Sequence, residues 1–323
     1  MQSDLPYIKS PIGTKCGSLP GARNVNSPAD SRFSGEYRRG MVVYFNGEFM
    51  PKENVRISPD DRGFLFGDGT YEVVRIYGGR PFRLAGHLRR FANSLGQMRL
   101  DFPDISAFEG VTSELIRRNG LDHGEASLYI QVTRGVGPRS HPFPEPGTVP
   151  TVYASVSPVM PPVEKWKKGV KAILVPDIRW LRCDIKSVSL LANVLASQQA
   201  REQDAEEALF VRDGVVTEGT HTNVCAVREG PVKTHPADRT ILDGITLEAV
   251  REICRDLGIP FEETAVTESG ILHADEVFLL GTTTEIMPVV RLGSAPVGTG
   301  LPGPMTRRLQ EAFFLKTRGR PSP

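Results

Sequence analysis

Residues 179–187 read R-W-L-R-C-D-I-K-S, and the fold class turns on what lies to either side of them. Upstream, residues 170–175 form a short, mostly apolar run of the length of a strand. Downstream, residues 188–203 carry Leu191, Val194, Leu195 and Gln198 at helical spacing, which predicts a helix with an apolar face. Strand, loop and helix in that order describe a mixed α/β chain. Lys186 would then enter an apolar wall, where desolvation disfavours the ammonium and leaves a free amine able to attack a carbonyl. The plainer reading of the same residue is a lysine that snorkels at a helix start.

Further along, residues 208–211 predict a strand, Asp213-Gly214 a turn, and Val215-Val216 a returning strand that leads into V-T-E-G-T-H-T-N over 216–223. Glu218 suits the charged ring nitrogen of a cofactor if it is buried, and is a solvated turn carboxylate if it is not. Asp243-Gly244-Ile245-Thr246 opens a helix predicted over 245–257, and Gly281-Thr282-Thr283-Thr284 ends a strand predicted over 276–280. Amides at a helix N-terminus, together with hydroxyls and a glycine that permits close approach, make a cup for a phosphate. Arg90 would add a charge-assisted clamp. Each of these features alone is also an ordinary helix cap, strand end or solvated arginine. Arg139-Ser140-His141 lies in a loop stiffened by Pro142, Pro144, Pro146 and Pro150, so two cationic donors stand ready to trap a carboxylate, or else line a bare surface loop.

Toward the N-terminus, residues 42–45 and 48–50 flank Asn46-Gly47 as a tight hairpin, because both turn residues accept positive φ. A second hairpin runs over 71–77, turns at Gly78-Gly79 and returns over 81–84. Leu88, Phe91, Ala92, Leu95 and Met98 then recur as one apolar stripe on a helix starting near Gly86. Strands are predicted over 127–134 and 151–155, and a final helix near 304–314. These elements group into a small first domain over 41–160 and a larger second domain over 161–323. Residues 1–40 are rich in Ser, Pro, Gly and Asn, lack periodicity, and read as a flexible extension. Their six basic against three acidic residues raise the alternative of a transit peptide, which scattered prolines and Asp4 oppose. Met41, standing at the first strand, is an alternative start.

The 39% apolar content of 323 residues is enough for a real core. With 39 Lys and Arg against 38 Asp and Glu, the net charge of +1 provides no field that favours nucleic acid or anionic membranes. Cys16, Cys183, Cys225 and Cys254 are widely spaced with no metal-finger pattern, which points to a reducing cytoplasm. No apolar run is long enough to span a bilayer, and no metal is expected.

Taken together, D-R-G-F-L-F-G-D-G-T-Y-E-V-V at 61–74, Q-V-T-R-G-V-G-P-R-S-H at 131–141, R-W-L-R-C-D-I-K-S at 179–187, T-E-G-T-H-T-N at 217–223 and T-T-T-E-I at 282–286 form a highly specific set. On these motifs the chain resembles the class IV aminotransferases, and among them the D-amino-acid aminotransferases, leaving only residues 1–40 outside the likeness. The resemblance implies the mixed α/β architecture of fold type IV pyridoxal-phosphate enzymes, with a smaller N-terminal domain and a larger, barrel-like C-terminal one. It implies that Lys186 holds pyridoxal 5′-phosphate as a Schiff base and shuttles the proton, and that Glu218 contacts the pyridine nitrogen. It further implies that Arg90, Ile245, Thr246 and Thr282 hold the phosphate with Thr283 nearby, and that Leu242 underlies the ring. Tyr71 would face the active site, while Arg139 and His141 would reach in from the other subunit of a homodimer to bind the substrate α-carboxylate. The implied reaction moves the amino group of a D-amino acid such as D-alanine to a 2-oxo acid such as 2-oxoglutarate. Alternatives on the same scaffold are a branched-chain L-amino-acid or (R)-amine aminotransferase, an aminodeoxychorismate lyase, and a non-catalytic cofactor-binding protein. Two departures from the family pattern stand out: His221 interrupts a hydroxyl-rich stretch, and Gly281 replaces a hydroxyl residue beside the phosphate threonines.

Overall fold

The chain begins its described course with a hairpin built on Asn46-Gly47, whose φ values of 48° and 98° are those the tight turn requires. The structure, a computed structural model, describes residues 40–102 and 104–319, so the extension expected over residues 1–40 lies outside it except for Gly40. From Gly40 onward the chain forms one compact unit with two sheets.

The first sheet is antiparallel throughout. Its strands are β1 (Val42–Phe45), β2 (Glu48–Pro51), β3 (Gly69–Tyr77), β4 (Arg80–Pro81), β5 (Glu125–Thr133) and β6 (Thr151–Pro158), in the order β2-β1-β6-β5-β3-β4. Alternation along β5 sends Ala126, Leu128, Ile130 and Val132 to one face. Two helices cover that face after the short α1 (Arg62–Phe66): α2 (Leu84–Gln97) through Leu88, Phe91 and Leu95, and α3 (Ala107–Arg118) through Phe108, Val111 and Leu115. The opposite face carries Tyr71 and Tyr129, stacked with ring centroids 5.8 Å apart. The same alternation on β3 turns Glu72 toward α2 and Tyr71 away from it. Ala92, expected on the buried stripe of α2, is exposed, and His87 and Ser94 are buried in its register instead.

The second sheet is mixed. It follows α4 (Val163–Lys168) and contains β7 (Val170–Pro176), β8 (Glu207–Arg212), β9 (Val215–Gly219), β10 (Asn223–Val227), β11 (Val232–Thr234), β12 (Phe261–Glu263), β13 (Val266–Thr267), β14 (Glu276–Gly281), β15 (Glu285–Leu292) and β16 (Ala295–Pro296). The run β10-β14-β15-β7-β8-β9 curls until β9 lies beside β10, because residues from all six strands fill one interior, among them Val224, Leu279, Val289, Ala172, Leu209 and Val216. This is the barrel-like half expected from the sequence. Outside it pack α5 (Leu191–Glu202), α6 (Ile245–Asp256) and α8 (Pro304–Arg318), with α7 (Glu268–Leu272) leading into β14. Among the described residues no helix is long and apolar enough to cross a membrane.

One sequence expectation is overturned in detail. The helix predicted over 188–203 starts at Leu191, and its apolar residues Leu191, Val194 and Leu195 are 72%, 59% and 55% exposed. Periodicity finds a face without saying what covers it; α5 seats on the sheet through the small residues Ala196 and Ala200. The apolar wall expected beside Lys186 is therefore an outer surface of this chain.

The N-terminus of α8 is fixed by Glu276, the first residue of β14, whose buried carboxylate accepts from the amides of Met305 and Thr306, each at 2.8 Å, and from the Thr306 hydroxyl at 2.6 Å. Glu276→Ala leaves those donors unpaired next to the core and should cost about 2 kcal/mol of stability, read as a lower urea midpoint. An unchanged midpoint would mean that water serves α8 equally well.

Candidate active site

Lys186 lies in the irregular segment between β7 and α5, and its position is set by the first sheet. Its carbonyl accepts from the Tyr71 amide at 3.0 Å and from the Thr70 hydroxyl at 2.7 Å. Its own amide donates to Ser94 Oγ of α2 at 3.2 Å, and the Val188 amide donates to the Gly69 carbonyl at 3.0 Å. With backbone partners on both sides, the direction of its Cα–Cβ bond is set, and its Nζ sits 4.4 Å from the centre of the Tyr71 ring. It opens into a cavity of about 630 Å³ between the two sheets.

At one end of this cavity stands Glu218, the fourth residue of β9, which is 7% exposed. One carboxylate oxygen pairs with the Arg179 guanidinium, and the other accepts from the Leu242 amide at 3.0 Å. Arg179 is itself held by both oxygens of Asp177 at 2.9 Å and by the Thr240 carbonyl at 3.1 Å, with its guanidinium 4.3 Å from the Phe210 ring centre. Burial pushes the Glu218 carboxyl up to about 7, against the pull of Arg179 and the Leu242 amide. A further cation facing this carboxylate would favour its ionised form.

At the other end is the start of α6. Its N-cap, Gly244, supplies no side chain, so the amides at Ile245 and Thr246 have no side-chain cap. Glycine is required there because a Cβ would lie 2.0 Å from Asn223 Oδ1. Asn223 in turn donates to the Leu242 carbonyl at 2.8 Å, pinning the turn over 242–244 against β10. Thr246 and Thr282 also line the cavity, and among the described residues neither hydroxyl has a protein partner. Arg90 reaches the same end from α2. It is locked edge-on to Glu72, with Nε to Oε1 at 2.7 Å and Nη2 to Oε2 at 2.8 Å, and it donates from Nη1 to the Asp243 carbonyl at 2.9 Å. Glu72 is fully buried and also meets His87 Nδ1 at 2.8 Å; burial alone would raise its carboxyl, but Arg90 and His87 outweigh burial and hold it at about 2.

Eight of the residues singled out from sequence therefore line one cavity: Lys186, Glu218, Leu242, Ile245, Thr246, Thr282, Arg90 and Tyr71. Three do not. Thr283 is exposed at the tip of the β14–β15 turn, and Arg139 and His141 are exposed in the loop after β5, off the wall of their own chain's cavity. They flank Phe66, which does line it: the Arg139 guanidinium lies 5.7 Å and the His141 ring 5.6 Å from its centre. His221 is on the wall and 55% exposed, with Nδ1 3.1 Å from both the buried Glu207 carboxylate and Thr220 Oγ1. Because the Thr220 hydroxyl already donates to Glu207, both neighbours accept, so Nδ1 carries the proton and Nε2 is left 3.5 Å from Thr284 Oγ1. Sequence reasoning misses Arg179, Glu72, His87 and Asn223. Arg179 sits in a quoted motif, yet its partner Glu218 is 39 residues away, and pairing at that range leaves no local pattern.

The family model described as "Amino-transferase class IV" matches residues 69–292. The chain is 42% identical over 279 residues to the D-alanine aminotransferase of Staphylococcus haemolyticus, covering 85% of this chain and 98% of that protein. It is also 42% identical over 274 residues to the D-alanine aminotransferase of Bacillus licheniformis, covering 84% and 96%. Among solved structures, the branched-chain amino acid aminotransferase of Escherichia coli superposes with a TM-score of 0.80 at 26% identity, over 88% of this chain and 97% of that one. A branched-chain amino acid aminotransferase from T.th., solved with pyridoxamine 5′-phosphate, superposes at 0.78 with 28% identity, over 88% and 96%. The cavity suits such a cofactor: a buried carboxylate for the ring nitrogen at one end, uncapped amides and free hydroxyls for the phosphate at the other, and one amine between them. In sequence, fold and cavity the chain belongs to the class IV aminotransferases, enzymes that work with pyridoxal 5′-phosphate.

Proposed function

We propose that this chain transfers the amino group of D-amino acids, D-alanine among them, to 2-oxo acids such as 2-oxoglutarate. The observation that carries this reading is the 42% identity to D-alanine aminotransferases across 85% of the chain. When bound, pyridoxal 5′-phosphate supplies an electron-poor ring that stabilises negative charge at the substrate's α-carbon. The protein's residues do the rest. Lys186 would tether the cofactor, and its amine would be the group that takes up and returns the proton from the substrate's Cα. Glu218, braced by Arg179, keeps a proton on the ring nitrogen. The first amides of α6, the Thr246 and Thr282 hydroxyls and the outer edge of Arg90 would hold the phosphate, with Thr283 nearby, and Leu242 would contact the ring.

Arg139 and His141 bind the substrate α-carboxylate in the cavity of a second copy, with Tyr71 facing it. A homodimer is supported by the apolar side chains of Ile178, Trp180, Leu181, Leu191, Val194 and Leu195, all at least 48% exposed in the single chain, with Ile178, Trp180 and Leu191 on the cavity wall. Residues 41–160 and 161–323 would act as its two domains within that compact unit, since the core under the first sheet lies before residue 160 and the barrel interior lies after it. Free buried thiols at Cys183, Cys225 and Cys254 support a cytoplasmic setting.

With 2-oxoglutarate as acceptor, D-alanine should give a kcat/KM at least about 100-fold above that of L-leucine or (R)-1-phenylethylamine. Faster turnover of L-leucine would replace this reading with a branched-chain one, and pyruvate release from aminodeoxychorismate without acceptor would replace it with a lyase. Lys186→Ala should lower kcat by about 10⁴-fold or more.

Glu218 also predicts a pH effect in cofactor-stripped protein. Its folded value lies above the unfolded one, so the folded state holds the proton more tightly, and stability is lost as pH rises from 4.5 to about 7. Relative to Glu218→Gln, the wild type should lose up to about 3 kcal/mol across that window. Reloading the cofactor should shrink the difference, while a wild type that gains stability with pH would show that Arg179 alone satisfies the carboxylate.

A further inference from the structure

Arg62, the first residue of α1, is 3% exposed and takes no part in the cavity wall. Its guanidinium is engaged by the backbone of the loop after β5. Nη1 donates to the Ser140 carbonyl at 2.6 Å and to the Pro142 carbonyl at 3.3 Å, while Nη2 donates to the His141 carbonyl at 3.3 Å. Nε donates to Asp68 Oδ2 at 2.8 Å, and the Arg62 amide donates to the Gly135 carbonyl at 2.9 Å. Asp68 is shared: Arg134 clasps the same carboxylate at 2.8 and 3.0 Å and lies 3.8 Å from the centre of the Phe143 ring, in the same loop. Three successive carbonyls are thus gathered by one buried cation whose counter-ion is fixed by a second.

The consequence lies in what this leaves outside. With carbonyls 140–142 drawn inward, the side chains of Arg139 and His141 stand exposed beside Phe66, whose own ring lies 4.8 Å from the Arg62 guanidinium. Lysine could not replace Arg62, because a point ammonium cannot hold a planar fan of acceptors while keeping Nε on Asp68. We propose that Arg62 is a positioning residue for carboxylate recognition. Without touching substrate, it presets the backbone that presents Arg139 and His141, and it ties that presentation to Phe66 on the wall of its own cavity. This rests on the reading of Arg139 and His141 as the α-carboxylate binders, which the test below judges separately.

In the holoenzyme, Arg62→Lys should raise KM for both D-alanine and 2-oxoglutarate, and Ki for propanoate as an unreactive carboxylate, by about tenfold, since a small displacement of oriented groups is enough for that. It should leave kcat within about threefold and the cofactor's absorbance and affinity unchanged. In an Arg139→Ala background the same substitution should add little, because the group it positions is gone. If Arg62→Lys proves insoluble, Asp68→Asn loosens the same hub and should shift KM and Ki in the same direction. Unchanged KM and Ki in the Arg62 variant, beside raised values in Arg139→Ala, would overturn the positioning role and spare the carboxylate reading. An Arg62 effect of equal size with and without Arg139, or a loss confined to kcat, would mark a general structural role and overturn it too. Unchanged KM and Ki in Arg139→Ala alone would remove the carboxylate reading, and the proposal with it.

Discussion

The rest of this structure depends on one carbonyl. The oxygen of Lys186 accepts the amide of Tyr71 and the hydroxyl of Thr70, and so stitches a loop of the barrel-like half to strand β3 of the other sheet. Arg179 and Cys183 tie the earlier part of this segment to the barrel-like half, but without the seam residues 186–188 would lose their hold on the first sheet, and ordering the lysine would cost entropy. With it, the amine is delivered to a fixed place, over Tyr71 and between the two ends of the cavity. Ser94 and Gly69 close the seam on either side, so sequence far from the lysine decides where it points.

Charge is arranged by the same rule of fixing from behind. Glu218 has Arg179 beneath it, Arg179 has Asp177, and Arg90 has Glu72 and His87. Buried ion pairs of this kind add little net stability, because the desolvation of both partners offsets their attraction. Their effect is geometric. Each of these groups is held by the protein from behind, and Glu218 and Arg90 both line a common space. With an acid at one end and an arginine beside helix amides at the other, the cavity suits a ligand with a cation at one end and an anion at the other.

Much of this is legible in the linear sequence. Asn46-Gly47 announces its hairpin, and the glycine and threonine stretches at 243–246 and 281–284 announce the donors gathered at one end of the cavity, because turn chemistry and helix starts are local. Lys186 and Glu218 are legible as a pair only through the resemblance of whole motifs; each alone has an ordinary explanation. The apolar face of α5 is correctly legible as a face but not as an exposed one, since periodicity records a preference for a partner without naming one. Arg179, Asn223 and Arg62 leave no such trace. They act on groups 39, 19 and about 80 residues away, two of them on backbone carbonyls that no side-chain pattern encodes.

The central claim is that the scaffold aims one amine, and one only, at the cofactor. Reduction of the holoenzyme with borohydride, followed by peptide mass mapping, tests it most directly. The account predicts a single reduced adduct on the peptide that contains Lys186, with loss of the visible band in proportion to labelling. Label on any other lysine, or none on a protein that still turns over, would contradict it.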